Sequence, residues 1–178
     1  MKLLLVDDEE YVIESIKRNL DLTETGVNEV YTAFSVQQAK NIMGMVDIDI
    51  VISDIVMPGG TGFDFVEWVR KEELKVQVIF LTSYTEFDYA RRAIEARVCE
   101  YLLKPVDEEK LAQIMKKLGE EITSVRQVEY AMEQAELEGG NLNLEYYMKL
   151  DRSENGYVSK LLEAIRTRYG EKLSIESI

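Results

Sequence analysis

The stretch Val51-Ile-Ser-Asp-Ile-Val-Met-Pro-Gly-Gly-Thr-Gly62 decides how the chain is read. An apolar run from Ile48 to Ile52 leads to one carboxylate, Asp54, and the backbone is then forced to turn. One of the two prolines, Pro58, and three of the ten glycines, Gly59, Gly60 and Gly62, follow within eight residues of that acid. A buried strand that ends in an acid and a loop places the acid at the strand's carboxyl end. In open α/β sheets that edge carries the chemistry. Asp54 is therefore the candidate functional group, and the flanking sequence is read for what surrounds it.

Working outward, apolar runs alternate with helical spacing. Lys2–Val6 predicts a short buried strand, ended by the acids Asp7 to Glu10. Val12, Ile13, Ile16 and Leu20 recur at helical spacing. Val27–Ala33 predicts a second strand, and Ser35 an N-cap for a helix that closes at Gly44. Ile48–Ser53 is the third strand, apolar enough to be buried on both faces. A helix over Thr61–Arg70 follows, then a fourth strand, Val76–Leu81. Thr85 is a candidate cap for a helix through Phe87, Ala90, Ala93 and Ile94, and Cys99–Leu103 is a fifth strand, stopped by Lys104-Pro105. Five such alternations predict an α/β fold: a five-stranded parallel, doubly wound, flavodoxin-like sheet with a long C-terminal helical extension. Asp7 and Asp8, Asp54, Thr82 and Lys104 then stand at the carboxyl ends of the first, third, fourth and fifth strands.

After Asp107, Leu111, Met115, Leu118, Ile122, Val125 and Met132 are spaced by threes and fours, with Glu129 at one expected apolar position. This heptad-like seam predicts a long helix whose first turns pack on the sheet and whose remainder projects, either as a dimeric coiled coil or folded back. Pairing of two chains is the favoured reading. Asn141–Leu150 reads as a short helix, and Glu154–Tyr169 as an amphipathic one closed by Gly170. Ser174 would cap another helix four residues before the chain ends, which reads as a truncated product.

Composition limits the chemistry. The net charge is −13; residues 141–178 hold six basic and six acidic side chains, so the first 140 hold 15 against 28. An acidic N-terminal domain repels nucleic acid and anionic membranes. There is no histidine, which excludes histidine general acid–base work and histidine metal ligation within the chain. No apolar run approaches the length of a membrane span. Met1–Val6 is too short for a signal peptide and is followed by acids, so the expected location is cytoplasmic. The single cysteine, Cys99, allows no internal disulfide and reads as an inert buried apolar residue.

Three carboxylates at one sheet edge repel each other by roughly 4 kcal/mol per pair at 4 Å and an effective dielectric near 20. Lys104 or a bound cation can offset this. An all-oxygen set selects Mg²⁺ or Mn²⁺ over zinc or copper. The implied chemistry is phosphoryl transfer to Asp54 as nucleophile, with Lys104 and the metal neutralising the phosphoryl oxygens and the Thr82 hydroxyl donating to one of them.

The set Asp7-Asp8, Asp54 followed by Met57-Pro58-Gly59, Thr82, and Lys104-Pro105 resembles the receiver domain of two-component response regulators over residues 1 to about 120. The resemblance implies an acylphosphate on Asp54, formed with Mg²⁺ from a sensor histidine kinase. It implies that Asp8 ligates the metal directly, Asp7 mainly through water, and the Val56 carbonyl as a third group. It implies that Thr82 and Tyr101 are switch residues, Tyr101 swinging inward behind Thr82. The face of the fourth helix, fifth strand and fifth helix would be the output surface and, with the long helix after residue 107, a route to a homodimer.

Ser83-Tyr84 with Phe87-Asp88-Tyr89-Ala90, and Tyr101-Leu102-Leu103-Lys104-Pro105-Val106-Asp107, resemble regulators with AraC-type, YesN-like DNA-binding domains. On that resemblance residues 1–120 are the receiver and 121–152 a helical linker. Residues 153–178 are the start of a truncated helix-turn-helix domain, with DNA contacted only by a longer chain. Arg97-Val98 departs from the family's common Gly-Ala. The resemblance implies that Val56 and Tyr84 occupy positions that tune dephosphorylation.

Two rivals remain open. An aspartyl-phosphate phosphohydrolase usually needs a second acid two residues after its nucleophile, where this chain has Val56. A pseudo-receiver that only binds partners should have lost an acid or the lysine, and none is lost.

Overall fold

The computed structural model describes residues 1–20, 25–83 and 87–137. The elements in order are β1 (Lys2–Val6), α1 (Glu10–Asn19), β2 (Glu29–Ala33), α2 (Val36–Met43), β3 (Ile50–Asp54), β4 (Val56–Met57), β5 (Gly60–Thr61), α3 (Gly62–Lys71), β6 (Gln77–Thr82), α4 (Phe87–Glu95), β7 (Glu100–Leu103) and α5 (Glu108–Leu137). The main sheet has the order β2-β1-β3-β6-β7 and every pairing is parallel. This is the predicted doubly wound sheet. The strand order reverses between β1 and β3, and open α/β sheets bind ligands at such a crevice.

Strand parity decides which side each residue covers. Leu4, Val6, Val51, Val78 and Phe80 share one core with Val36, Ala39 and Met43 of α2, Phe63, Phe65, Val66 and Val69 of α3, and Ala93 of α4. The alternate set, Leu3, Leu5, Ile50, Ile52, Ile79 and Leu81, is buried on the opposite face. There α1 contributes Val12, Ile13 and Ile16, and the first turns of α5 contribute Leu111 and Met115. Asn19 of α1 donates a hydrogen bond to Glu108 of α5, joining the two helices on that side. Burying a side chain of this size stabilises by about 1.5–3 kcal/mol, so continuous apolar strands suit a sheet covered on both faces.

Local chemistry fixes the ends of the elements near β3. Met57-Pro58-Gly59-Gly60 is a tight turn with Gly59 at φ 82°, and it joins β4 and β5 as a small antiparallel hairpin. Proline followed by a left-handed glycine is the pattern of a type II turn. The Thr61 side chain accepts from Asp64 N, and Asp64 accepts from Thr61 N, a capping box that starts α3. Ser35 caps α2 as predicted, accepting from Gln38 N.

Several expectations are corrected. Cys99 is exposed and lies outside β7; its thiol is 2.6 Å from Gln77 Oε1, so it is not a buried apolar residue. Ile94 is 78% exposed, leaving Ala93 as the buried anchor of α4. β2 is shorter than predicted, and β3 runs through Asp54 itself. Arg97 adopts φ 53°, the left-handed conformation that a glycine would take more cheaply. The helix turn survives there because Arg97 N and Val98 N still donate to Ile94 O and Ala93 O.

The chain divides into two compact units, Met1–Lys116 and Lys117–Ile178. In the second, the described part is the remainder of α5, where Leu118 and Val128 are buried and Ile122 and Val125 half-buried. The predicted Thr85 cap and the helices predicted over residues 141–169 lie outside the described residues. No helix among the described residues is long and apolar enough to cross a membrane.

Candidate functional site

β1 and β3 are adjacent strands, with Val6 opposite Ser53, so the residues that follow each emerge side by side. Asp54 is the last residue of β3 and shares the parity of Ile50 and Ile52. Its Oδ1 accepts from Ile55 N at 2.6 Å and, more weakly, from Val56 N at 3.4 Å. Its Oδ2 accepts from Lys104 Nζ at 2.8 Å. Asp7 follows β1; its backbone N donates to Ala33 O, and its Oδ1 accepts from Glu9 N at 3.0 Å. Asp7 Oδ2 lies 2.6 Å from Lys104 Nζ. Asp8 is exposed beside them.

One ammonium therefore bridges two buried carboxylates. The side chains of Lys104, Asp7 and Asp54 are 9%, 4% and 10% exposed. Each contact carries a gross attraction of about 6 kcal/mol at an effective dielectric of 20. Against it stands a desolvation penalty of several kcal/mol per buried ion. The balance differs between the partners. Burial pushes the Asp7 carboxyl above its ordinary value, although Lys104 and the Glu9 N–H pull the other way. Burial would lower Lys104, but Asp54 and Asp7 together outweigh it and push the ammonium up to about 12.

The backbone places the lysine. β6 pairs with β7 with Thr82 opposite Leu103, and Lys104 N donates to Thr82 O at 2.8 Å. The Lys104–Pro105 peptide is cis. Thr82 ends β6 and is fully buried, one residue beyond the Asp54–Leu81 pairing. Tyr101 sits in β7, half-buried against the core that contains Phe80 and Phe63. Val56 lies in β4 with its side chain exposed at the rim.

The cation hypothesis can be tested on these atoms. Carboxylate oxygens of Asp7, Asp8 and Asp54 all lie within 4.8 Å of one another. Asp7 Oδ2 is buried and, despite its ion contact with Lys104, has no aligned hydrogen bond, so acceptor capacity is left over. Three hard oxygen donors, one of them open to solvent, fit Mg²⁺ with part of its water shell retained. Asp7, Asp8 and Asp54 are the residues that could hold it.

One neighbour was not singled out in the sequence. Glu9 Oε2 approaches Lys104 Nζ to 3.5 Å and accepts from the Tyr11 hydroxyl at 3.3 Å. In the sequence it is one of four consecutive acids, and nothing there separates a strand-ending acid from one turned into the site.

Residues 3–116 match the response regulator receiver domain. Among relatives, the transcriptional regulatory protein HptR of Staphylococcus aureus is 28% identical over 182 residues, covering 99% of this chain and 68% of that protein. An uncharacterized response regulatory protein of Staphylococcus epidermidis is 28% identical over 174 residues, covering 98% of this chain; the chain spans 66% of that relative's length. Among solved structures, the receiver domain of AraT, a response regulator from Geobacillus stearothermophilus, superposes with a TM-score of 0.65 at 30% identity, over 70% of this chain and 97% of that one. The beryllofluoride-activated receiver domain dimer of NtrC4 superposes with a TM-score of 0.61 at 28% identity, over 67% of this chain and 97% of that one.

Proposed function

We propose that this chain, which belongs to the response regulator receiver domain family of two-component signalling, accepts a phosphoryl group on Asp54 from a sensor histidine kinase. The observation that carries the reading is the Asp54 carboxylate itself. It stands at the strand-order reversal with Oδ2 on Lys104 at 2.8 Å and Oδ1 on Ile55 N at 2.6 Å. Both oxygens are oriented, and a cation stands beside the position where negative charge gathers during transfer.

In the proposed step an Asp54 oxygen bonds to phosphorus while the phosphorus–nitrogen bond of the partner's phosphohistidine breaks, its electron pair leaving with the imidazole. Asp7, Asp8 and Asp54 would hold a divalent cation, which would supply positive charge to the phosphoryl oxygens. Lys104 exchanges part of its contact with Asp54 for a phosphoryl oxygen, and the Thr82 hydroxyl donates to another. Thr82 and Tyr101 then transmit the change to the α4–β7–α5 side, where Ile94 and Leu103 are exposed. The chain works as a switch rather than a turnover enzyme: Val56, at the second position after Asp54, offers no acid to activate a hydrolytic water.

The output is proposed to be transcriptional, on the printed name of the Staphylococcus aureus relative and the resemblance of Ser83-Tyr84, Phe87–Ala90 and Tyr101–Asp107 to AraC-type regulators. Residues 121–152 are the linker, and a homodimer through α5 or the α4–β7–α5 side completes the reading. Incubation with Mg²⁺ and acetyl phosphate should add one phosphoryl group to the intact mass, and Asp54→Ala should abolish the gain. No adduct on the wild type contradicts the reading.

A further inference from the structure

Glu9 occupies the N-cap position of α1, yet its side chain makes no capping hydrogen bond. An aspartate there ordinarily accepts from the helix's free N–H groups, and the longer glutamate is free to reach elsewhere. Instead the backbone of Glu9 is tied to Asp7 Oδ1, and its carboxylate is turned to within 3.5 Å of Lys104. The Tyr11 hydroxyl holds the same Oε2 atom. The Glu9 side chain is 44% exposed, whereas the Lys104, Asp7 and Asp54 side chains are nearly covered. Glu9 is thus a fixed negative charge on the open side of a pocket whose one ammonium already faces two buried carboxylates.

We propose, resting on the phosphoacceptor reading above, that Glu9 is a specificity residue for the phosphodonor, its carboxylate at the pocket mouth opposing small, strongly anionic donors. A free acyl phosphate brings two negative charges past Glu9 and carries no cationic group of its own to meet that carboxylate. A donor presented by a protein brings its own surface, whose cationic groups can meet Glu9. The charge therefore biases the site toward a macromolecular donor without touching the reacting atoms. Field effects of this kind act on rates and weaken with salt.

The test compares wild type, Glu9→Gln and Glu9→Asp as the full chain at saturating Mg²⁺, so that altered metal affinity does not enter. Acetyl phosphate transfers its phosphoryl group as its phosphorus–oxygen bond breaks and acetate leaves with the electron pair; phosphoramidate transfers as ammonia leaves after protonation. At low salt Glu9→Gln should be phosphorylated by acetyl phosphate about three- to tenfold faster than wild type, the scale of removing one nearby surface charge. The gain should be smaller with phosphoramidate, which carries less negative charge, and should shrink in roughly 1 M salt, where the screening length is about 3 Å. Glu9→Asp, which keeps the charge, should stay near wild type. Equal rates for Glu9→Gln and wild type, a gain indifferent to salt and donor, or an equal gain in Glu9→Asp overturns the inference while leaving Asp54 as phosphoacceptor. Absence of phosphorylation in the wild type sinks the phosphoacceptor reading, and this inference with it.

Discussion

Gly62→Ala should be the most damaging single-methyl change around the site. A Cβ at Gly62 would stand 2.6 Å from the carbonyl oxygen of Asp54, 2.9 Å from a Phe80 ring carbon and 3.2 Å from Ile55 Cα. Comfortable carbon contacts begin near 3.5 Å, so the overlap approaches 1 Å, and two of the three atoms are backbone. Gly62 N is also tied to Ile55 O at 2.8 Å, which holds the start of α3 against the end of β3. Relief must come from moving the backbone that carries Asp54. Overpacking typically costs about 1–3 kcal/mol, and a backbone clash belongs at the upper end. For a unit of this size about 3 kcal/mol lowers the melting temperature by roughly 10 °C or more. Two other glycines in the same loop serve as controls. Gly60→Ala meets only the Val36 side chain, with Cγ2 at 3.3 Å and Cβ at 3.4 Å, and no backbone atom. Gly59→Ala meets no atom within 4 Å but must hold φ 82°, a cost of about 1 kcal/mol. Thermal melts of the three variants should rank Gly62→Ala far below Gly59→Ala, with Gly60→Ala nearest wild type. A Gly62→Ala protein that melts with the Gly59→Ala variant, and is phosphorylated as fast as wild type, would refute the claimed approach of α3 to Asp54.

Other expectations concern charge, backbone and assembly. Arg97→Gly should stabilise by about 1 kcal/mol in urea denaturation by relieving φ 53°; the Arg70 hydrogen bond to the residue-97 carbonyl is backbone-accepted and survives the change, so unchanged stability would mean that the left-handed turn carries no strain. Mg²⁺ should raise the melting temperature, by the equivalent of about 2.7 kcal/mol at one hundred times its dissociation constant, and Asp8→Asn should remove most of that rise; an undiminished rise would place the cation elsewhere. Lys104 has its folded pKa raised from 10.5 to about 12, so its contribution to stability is complete below 10.5 and lost as pH rises through about 12. The stability difference between wild type and Lys104→Met should therefore be flat across neutral pH and close in strong alkali. Sedimentation should show a dimer that is lost on removing residues 121–178 if the seam after Leu111 pairs two chains; a monomer in both contradicts pairing.

The layout of the fold was legible because buried parallel strands are apolar along their whole length and each is punctuated. Ile50–Asp54 and Gln77–Thr82 announce themselves this way, and their exits placed Asp54 and Thr82 correctly relative to Asp7 and Lys104. The long helix was legible from the spacing that begins at Leu111. Errors came where a residue's type does not fix its side. Ile94 and Cys99 look apolar, but α4 buries only a narrow stripe anchored by Ala93, and Cys99 precedes an edge strand. Glu9 was illegible because pairing with Lys104 brings together residues nearly a hundred positions apart. The left-handed Arg97 was visible only as a departure from an expected glycine, without a sign for its effect.

The central claim is that Asp54, and no other carboxylate of the cluster, receives the phosphoryl group. Borohydride reduction of the phosphorylated chain, followed by peptide mapping, tests it directly, because reduction converts an aspartyl phosphate to homoserine. The account predicts homoserine at position 54 alone, dependent on Mg²⁺ and on the phosphodonor. Homoserine at Asp7 or Asp8, or none anywhere in a chain that has gained phosphate, would contradict it.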